Sequence, residues 1–155
     1  MIERNNKSMR LCTVLLVLNL CFIWGNSLMP GTVSGALSGW LKKIMDTVFH
    51  LEQNSVSNGH HILRKLAHFT EFTSLGLVLS WLFAMLKKRP WRPILCGFLA
   101  ACTDELIQCF VPDRGPGIRD VMIDTSGVLL GTGAFLLGLT IYQKKKTKFM
   151  EDMKQ

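Results

Sequence analysis

Four apolar blocks, each close to twenty residues long, divide this chain. They run from Leu11 to about Met29, from about Leu66 to Leu86, from Ile94 to Val111 and from Val121 to Tyr142. A helix needs about 20 apolar residues to cross the hydrocarbon of a bilayer. Four such blocks in 155 residues leave little room for a soluble domain. The expected fold is all-α, a bundle of four transmembrane helices, with residues 1–155 forming one membrane domain. Composition agrees: 48% of the residues are hydrophobic and 19% charged, which excludes a disordered chain or a coiled coil. The net charge of +7 does not point to nucleic acid, because cytoplasmic loops of membrane proteins carry excess Lys and Arg. Basic nucleic-acid-binding folds also lack spanning apolar blocks. The five cysteines, Cys12, Cys21, Cys96, Cys102 and Cys109, all lie inside these blocks with no CxxC pair. They read as small buried hydrophobes rather than as a disulfide framework or a zinc site.

The first block follows Arg4, Lys7 and Arg10, a pattern shared with secretory signal peptides. No A-x-A-like site follows, and Gly25-Asn26-Ser27 makes a poor cleavage site, so an uncleaved helix is expected. Positive charge then sets the orientation. With the N-terminus inside, the cytoplasmic side holds Arg4, Lys7, Arg10, Lys87, Lys88, Arg89, Arg92, Lys144, Lys145, Lys146, Lys148 and Lys154. The outer side holds Lys42, Lys43, Arg64, Lys65, Arg114 and Arg119. This two-to-one bias places both termini in the cytoplasm, and residues 143–155 read as a basic cytoplasmic tail.

The long outer loop, Gly31 to about Ile62, carries Val33, Leu37, Trp40, Leu41, Ile44, Met45, Val48 and Phe49 at helical spacing. An amphipathic helix on the outer membrane face is expected there. No internal repeat is visible, which disfavours the inverted-repeat plan of many transporters.

The informative residues are those that do not belong in a membrane. Arg64, His68 and Glu71 fall within about a 60° arc of the second helix, with Lys65 at its edge. Asp104, Glu105 and Gln108 share about a 100° arc of the third. Asp120 and Asp124 lead the fourth, with Gly127, Gly131, Ala134 and Gly138 continuing the stripe. Depth coincides as well. Glu71 lies about 9 Å below Lys65, Asp104 about 10 Å below Val111, and Asp124 about 6 Å below Asp120. All three polar faces therefore meet in the outer half of the bilayer, beneath the charged loop that holds Asp113, Arg114 and Arg119. A charge at the bilayer centre costs about 2.5–3.5 kcal/mol on insertion scales, so these groups must face one another or a water-filled cleft. An outward-facing polar pocket among helices two, three and four is expected. The bland alternative is an ion-pair network in which Arg64, Lys65, Arg114 and Arg119 neutralise the acids and hold the bundle together.

His68, one turn from Glu71, has the chemistry of a general acid or base. Carboxylates with one histidine also suit a divalent metal, but no HExxH or DxDx[ST]-type spacing accompanies them, so a metal is disfavoured. His50, His60 and His61 read as residues of a solvated loop. No GxSxG elbow is present, and Thr125 and Ser126 point away from the acidic stripe. The Gly127/Gly131 pair suits close helix packing within the bundle, with homodimerisation as the alternative.

Two motifs carry a family resemblance. Arg64-Lys65-Leu66-Ala67-His68-Phe69-Thr70-Glu71-Phe72 resembles the RKxxHxxEY/F stretch of the VanZ-like membrane proteins, with Phe72 where a tyrosine is common. Asp104-Glu105-Leu106-Ile107-Gln108, then Arg114, Asp120 and Asp124-Thr125-Ser126-Gly127, is similar to the family's DExxQ…R…D…DxxG stretch. The resemblance covers about Asn26 to Leu139. It implies a four-helix bacterial membrane protein, and the family name carries a link to teicoplanin resistance.

The sequence thus leads to a pocket that recognises or modifies a cell-envelope molecule, a lipid-linked cell-wall precursor or a glycopeptide. If it is catalytic, His68, Glu71, Asp104, Glu105 and Asp124 are the reacting or electrostatic groups. Arg64, Lys65, Gln108, Arg114, Arg119 and Asp120 are the ligand-binding groups, the arginines and the lysine serving as phosphate or carboxylate clamps. The alternative is an accessory membrane protein whose charges serve only the bundle. A transporter ranks third.

Overall fold

The computed structural model describes residues 6–33, 39–40 and 58–153. Among them four helices form: α1 Asn6–Ser27, α2 Asn58–Met85, α3 Trp91–Gln108 and α4 Ile118–Asp152. By length and composition, three are apolar enough to cross a membrane: α1, the Ile62–Met85 part of α2, and α4. The 18-residue α3 has an apolar centre flanked by Arg92 at one end and by Asp104 and Glu105 at the other. The amphipathic helix expected from Val33 to Phe49 falls mostly outside the described residues, and its fragments 31–33 and 39–40 are helical.

The helices overrun the apolar blocks, because apolar runs mark what lipid demands and not where helical backbone stops. α1 starts five residues before Leu11 and α2 eight before Leu66. The segment expected as a basic tail is the last part of α4, which continues through Lys144–Lys148 to Asp152. Nothing in Gln143–Met150 breaks a helix, and lysine propagates one well. At 35 residues α4 is about 52 Å long, well beyond the ~30 Å of hydrocarbon, so its lysines project past the apolar layer.

α2 ends in a Schellman motif. Lys88 N donates to Phe83 O at 2.9 Å and Lys87 N to Ala84 O at 3.1 Å, with Lys87 at φ 53° where glycine is usual. Pro90 then opens α3. The tight turn folds α3 back against α2.

The distribution of residue types is inverted relative to a soluble protein. Leu11, Val14, Val17, Leu18 and Phe22 of α1 are exposed, as are Leu129, Leu130 and Leu137 of α4. Buried polar and charged residues include Ser27, Ser80, Asp104, Glu105, Gln108, Asp124 and Thr132. A small apolar core, Ile23, Phe72, Leu75, Leu79, Ala100, Ala101 and Val128, lies between the helices.

Glycine sets the tightest contact. α2 and α4 run parallel, and a Cβ on Gly127 would lie 2.5 Å from Phe69 O, while one on Gly131 would overlap Thr73 O. Gly76 of α2 meets Val128 O in the same way, at 2.5 Å. Without a hydrophobic drive between helices in lipid, such backbone approach supplies the dispersion contact that holds them. The stripe stops halfway. Ala134 and Gly138, expected to continue it, are exposed, and nothing lies within 4 Å of a Cβ on Gly138.

The cysteines divide. Cys12 is buried, Cys96 and Cys102 are half-buried, and Cys21 and Cys109 are exposed, so the expectation of uniform burial is corrected. An exposed thiol on an apolar helix face costs little where the surroundings are lipid.

Candidate functional site

The end of the bundle that holds the C-terminus of α1, the first turns of α2 and the α3–α4 loop gathers nearly all the buried charge. Each helix contributes by its own periodicity. On α1, Cys12, Asn19 and Asn26 are spaced by seven, which aligns them along the face against α2. Cys12 Sγ donates to Val78 O at 3.6 Å, Asn19 Nδ2 to Ser74 Oγ at 2.7 Å, and Asn26 Nδ2 to Glu71 Oε1 at 2.8 Å. Ser27, one residue on, turns toward α3 and donates to Asp104 Oδ2 at 2.8 Å.

Gln108 organises the α3 face. Its Nε2 donates to Asp104 Oδ2 at 2.9 Å, to Glu105 Oε1 at 3.3 Å and to Ser27 Oγ at 3.4 Å. Its Oε1 accepts from Arg64 Nη2 at 3.4 Å. Glu105 Oε2 accepts from Gly117 N at 2.8 Å, just before α4 begins. Lys65 and Asp120 pair at 2.8 Å, both partly exposed.

The α3–α4 loop is tied down onto the end of α1. Gly31 N donates to Pro112 O at 3.1 Å, and a Cβ on Gly31 would overlap Asp113 O, so only glycine fits. Arg114 Nη2 donates to Asn26 O at 2.8 Å and Nε to Met29 O at 3.0 Å. It thereby ties the loop to the carbonyls of the last turn of α1 and of the segment just after it. Burial, with the like charge of Arg64 nearby, pushes the Arg114 guanidinium below its ordinary value.

Beneath this loop lies a polar cavity of about 240 Å³. Arg64, Lys65 and His68 line it from α2, Glu105 and Gln108 from α3, and Asp120 and Asp124 from α4. At its inner wall His68 Nδ1 approaches Asp104 Oδ2 to 3.8 Å. One ligating atom from each of His68, Asp104 and Asp124 falls within 4.8 Å of the others. Both oxygens of Asp124 are buried without a hydrogen-bond partner, as are Asp104 Oδ1 and His68 Nδ1.

The structure therefore brings together seven of the eleven residues singled out from sequence as cavity lining, with Asp104 fully buried beside them. Glu71 faces α1 and does not line the cavity. Arg119 is exposed on α4 and Arg114 is engaged with backbone, so neither is arranged as a clamp over the cavity. Glu71 and Asp104 take neutral donors from α1 rather than the cationic partners that the ion-pair alternative assigns them. Thr125 and Ser126 bond to carbonyls of their own helix, Val121 O and Ile123 O. His50 lies outside the described residues.

The contribution of α1 was missed in the sequence. Its signal was present: Asn19 and Asn26, seven residues apart, are two amides on one face of an otherwise apolar helix, and a polar side chain in lipid seeks an interhelical partner.

Three long apolar helices, with polar side chains turned between them, mark a helical protein of the membrane type. Over residues 12–140 the chain matches the family described as VanZ/LLP1, and it belongs to that family. No curated protein and no solved structure matches it.

Proposed function

We propose that this chain is a multi-pass protein of the cytoplasmic membrane, with four spanning helices and both termini inside. Its polar cavity opens outward and receives the anionic head of a lipid-linked cell-wall precursor. The observation that carries this reading is the cavity itself. It is polar and rimmed by Arg64 and Lys65, yet it lies between helices whose outer faces are apolar. An amphiphile with a charged head and a long tail matches both surfaces at once. The fourth span is α3, whose acids face inward rather than toward lipid. The teicoplanin link of the family name fits the same chemistry, because glycopeptides act on cell-wall precursors outside the membrane.

The alternative, an accessory protein whose charges serve only the fold, draws on Arg114 and Lys65, both of which have partners within the protein.

Mass spectrometry of lipid that co-purifies with the protein tests the proposal. An anionic polyprenyl-linked lipid is expected with the wild type and is expected to fall at least several-fold with Arg64→Gln. Equal recovery from wild type and Arg64→Gln, or phospholipid alone, rejects it.

A further inference from the structure

We propose that His68, Asp104 and Asp124 form a binding site for one divalent cation of the zinc or manganese type. The three ligating atoms come from three different helices and converge within 4.8 Å. Zinc held by nitrogen and oxygen at about 2.0–2.1 Å sets neighbouring ligand atoms about 3.4 Å apart. His68 Nδ1 already faces the Asp104 carboxylate, 3.8 Å from Oδ2, and the other oxygen of that carboxylate, Oδ1, is left without a hydrogen-bond partner.

Satisfaction of polar atoms points the same way. Asp124 is 1% exposed and Asp104 0%, and buried carboxylates are ordinarily hydrogen-bonded or paired. Here Asp124 Oδ1 and Oδ2, Asp104 Oδ1 and His68 Nδ1 all lack a hydrogen-bond partner, four of the eleven such buried atoms among the described residues and the largest group of them at one place. The nearby cations make their contacts elsewhere: Lys65 with Asp120, Arg64 with Gln108, and Arg114, through Nε and Nη2, with the carbonyls of Met29 and Asn26. One divalent ion neutralises two carboxylates, which removes the cost of holding both charges in low dielectric.

The remaining oxygen of Asp104 is held as outer-shell groups hold metal ligands. Oδ2 accepts from Ser27 Oγ at 2.8 Å and from Gln108 Nε2 at 2.9 Å, which fixes the carboxylate plane. Two carboxylates and one imidazole make a mixed oxygen and nitrogen set suited to zinc or manganese rather than to a soft thiophilic ion. His68 lies about 6 Å deeper along α2 than Arg64, so the ion sits below the cationic rim of the cavity. The site stands whatever ligand the cavity takes.

The test uses the full-length protein in detergent, stripped with a chelator and titrated with Zn²⁺ and separately with Mn²⁺ by calorimetry, with metal content read by mass spectrometry. One ion per chain is expected. His68→Ala and the double variant Asp104→Asn/Asp124→Asn are expected to weaken binding at least tenfold, while Asp152→Asn leaves it unchanged. A wild type that binds neither ion stoichiometrically overturns the proposal, and so does binding abolished by His60→Ala/His61→Ala but kept in His68→Ala. Melting temperature guards against misfolded variants. Zn²⁺ or Mn²⁺ is expected to raise it in the wild type and not in Asp124→Asn, whose melting temperature in chelator should equal or exceed that of the wild type. An equal metal-induced rise in both overturns the assignment.

Discussion

Ser27 Oγ donates to Asp104 Oδ2 at 2.8 Å across 77 residues of sequence, and both residues are wholly buried. This bond joins the end of α1 to the acidic face of α3 and makes the first helix part of the site. Hydrogen bonds to charged groups contribute about 1.5–3 kcal/mol. Ser27→Ala is expected to cost that much, measured by equilibrium unfolding in detergent. Ser126→Ala removes an exposed hydroxyl that bonds only within α4, and its effect should stay within about 0.5 kcal/mol. Equal effects for the two substitutions contradict a site role for the Ser27 bond.

The α2–α4 contact yields a prediction whose sign changes along one helix. A Cβ on Gly131 overlaps the Thr73 carbonyl, which is backbone and cannot rotate away. Gly131→Ala therefore forces the helices apart and should destabilise by about 1–3 kcal/mol or more. Gly133, two residues on, has nothing within 4 Å. There alanine gains helix propensity, about 1 kcal/mol in favour of folding. Melting temperatures of the two variants should move in opposite directions.

How much of this was legible in the sequence depends on the kind of interaction. Apolar block length and the inward faces of His68, Asp104 and Asp124 were readable, because hydrocarbon thickness and the 3.6-residue period leave few choices. Partner identity was not. Ser27 and Asn26 hold Asp104 and Glu71, while the ion-pair alternative offered only cationic partners, because periodicity shows which face of a helix is polar and not which neighbour that face meets. Arg114 read as a ligand clamp, but its Nε and Nη2 are taken by the carbonyls of Met29 and Asn26 at the end of α1, a contact 85 to 88 residues away that no local pattern reveals. The length of α4 was hidden because lysine is both a stop signal for lipid and a good helix former.

Topology is the next prediction. The two-to-one bias of Lys and Arg predicts both termini inside and Ser57 outside. In a cysteine-free background, Ser57→Cys should react with a membrane-impermeant maleimide on intact cells. Reaction only after permeabilisation reverses the orientation and closes the cavity to the envelope.

Glu71→Gln and Asp104→Asn separate a working site from a structural network. Each keeps the acceptor oxygen that now takes a hydrogen bond, from Asn26 in one case and from Ser27 and Gln108 in the other. Each removes only the charge. Where a carboxylate is paired with a buried cation, its loss strands that cation, and breaking a buried pair costs about 3–5 kcal/mol. The hydrogen-bond donors found here are neutral, and among the described residues no Lys or Arg pairs with either carboxylate; the basic group beside Asp104 is His68, at 3.8 Å. Both variants should insert and fold, with melting temperatures equal to or above that of the wild type, because sites that hold like charges together do so at a cost in stability. Co-purified anionic lipid should fall in Asp104→Asn, whose carboxylate lies against the cavity wall, and should be kept in Glu71→Gln, which faces α1; any teicoplanin phenotype that the wild type confers on an expressing strain should be lost with the lipid. Wild-type lipid recovery in Asp104→Asn together with a clearly lowered melting temperature in both variants is the opposite pattern. It assigns the cluster to bundle assembly and rejects the site.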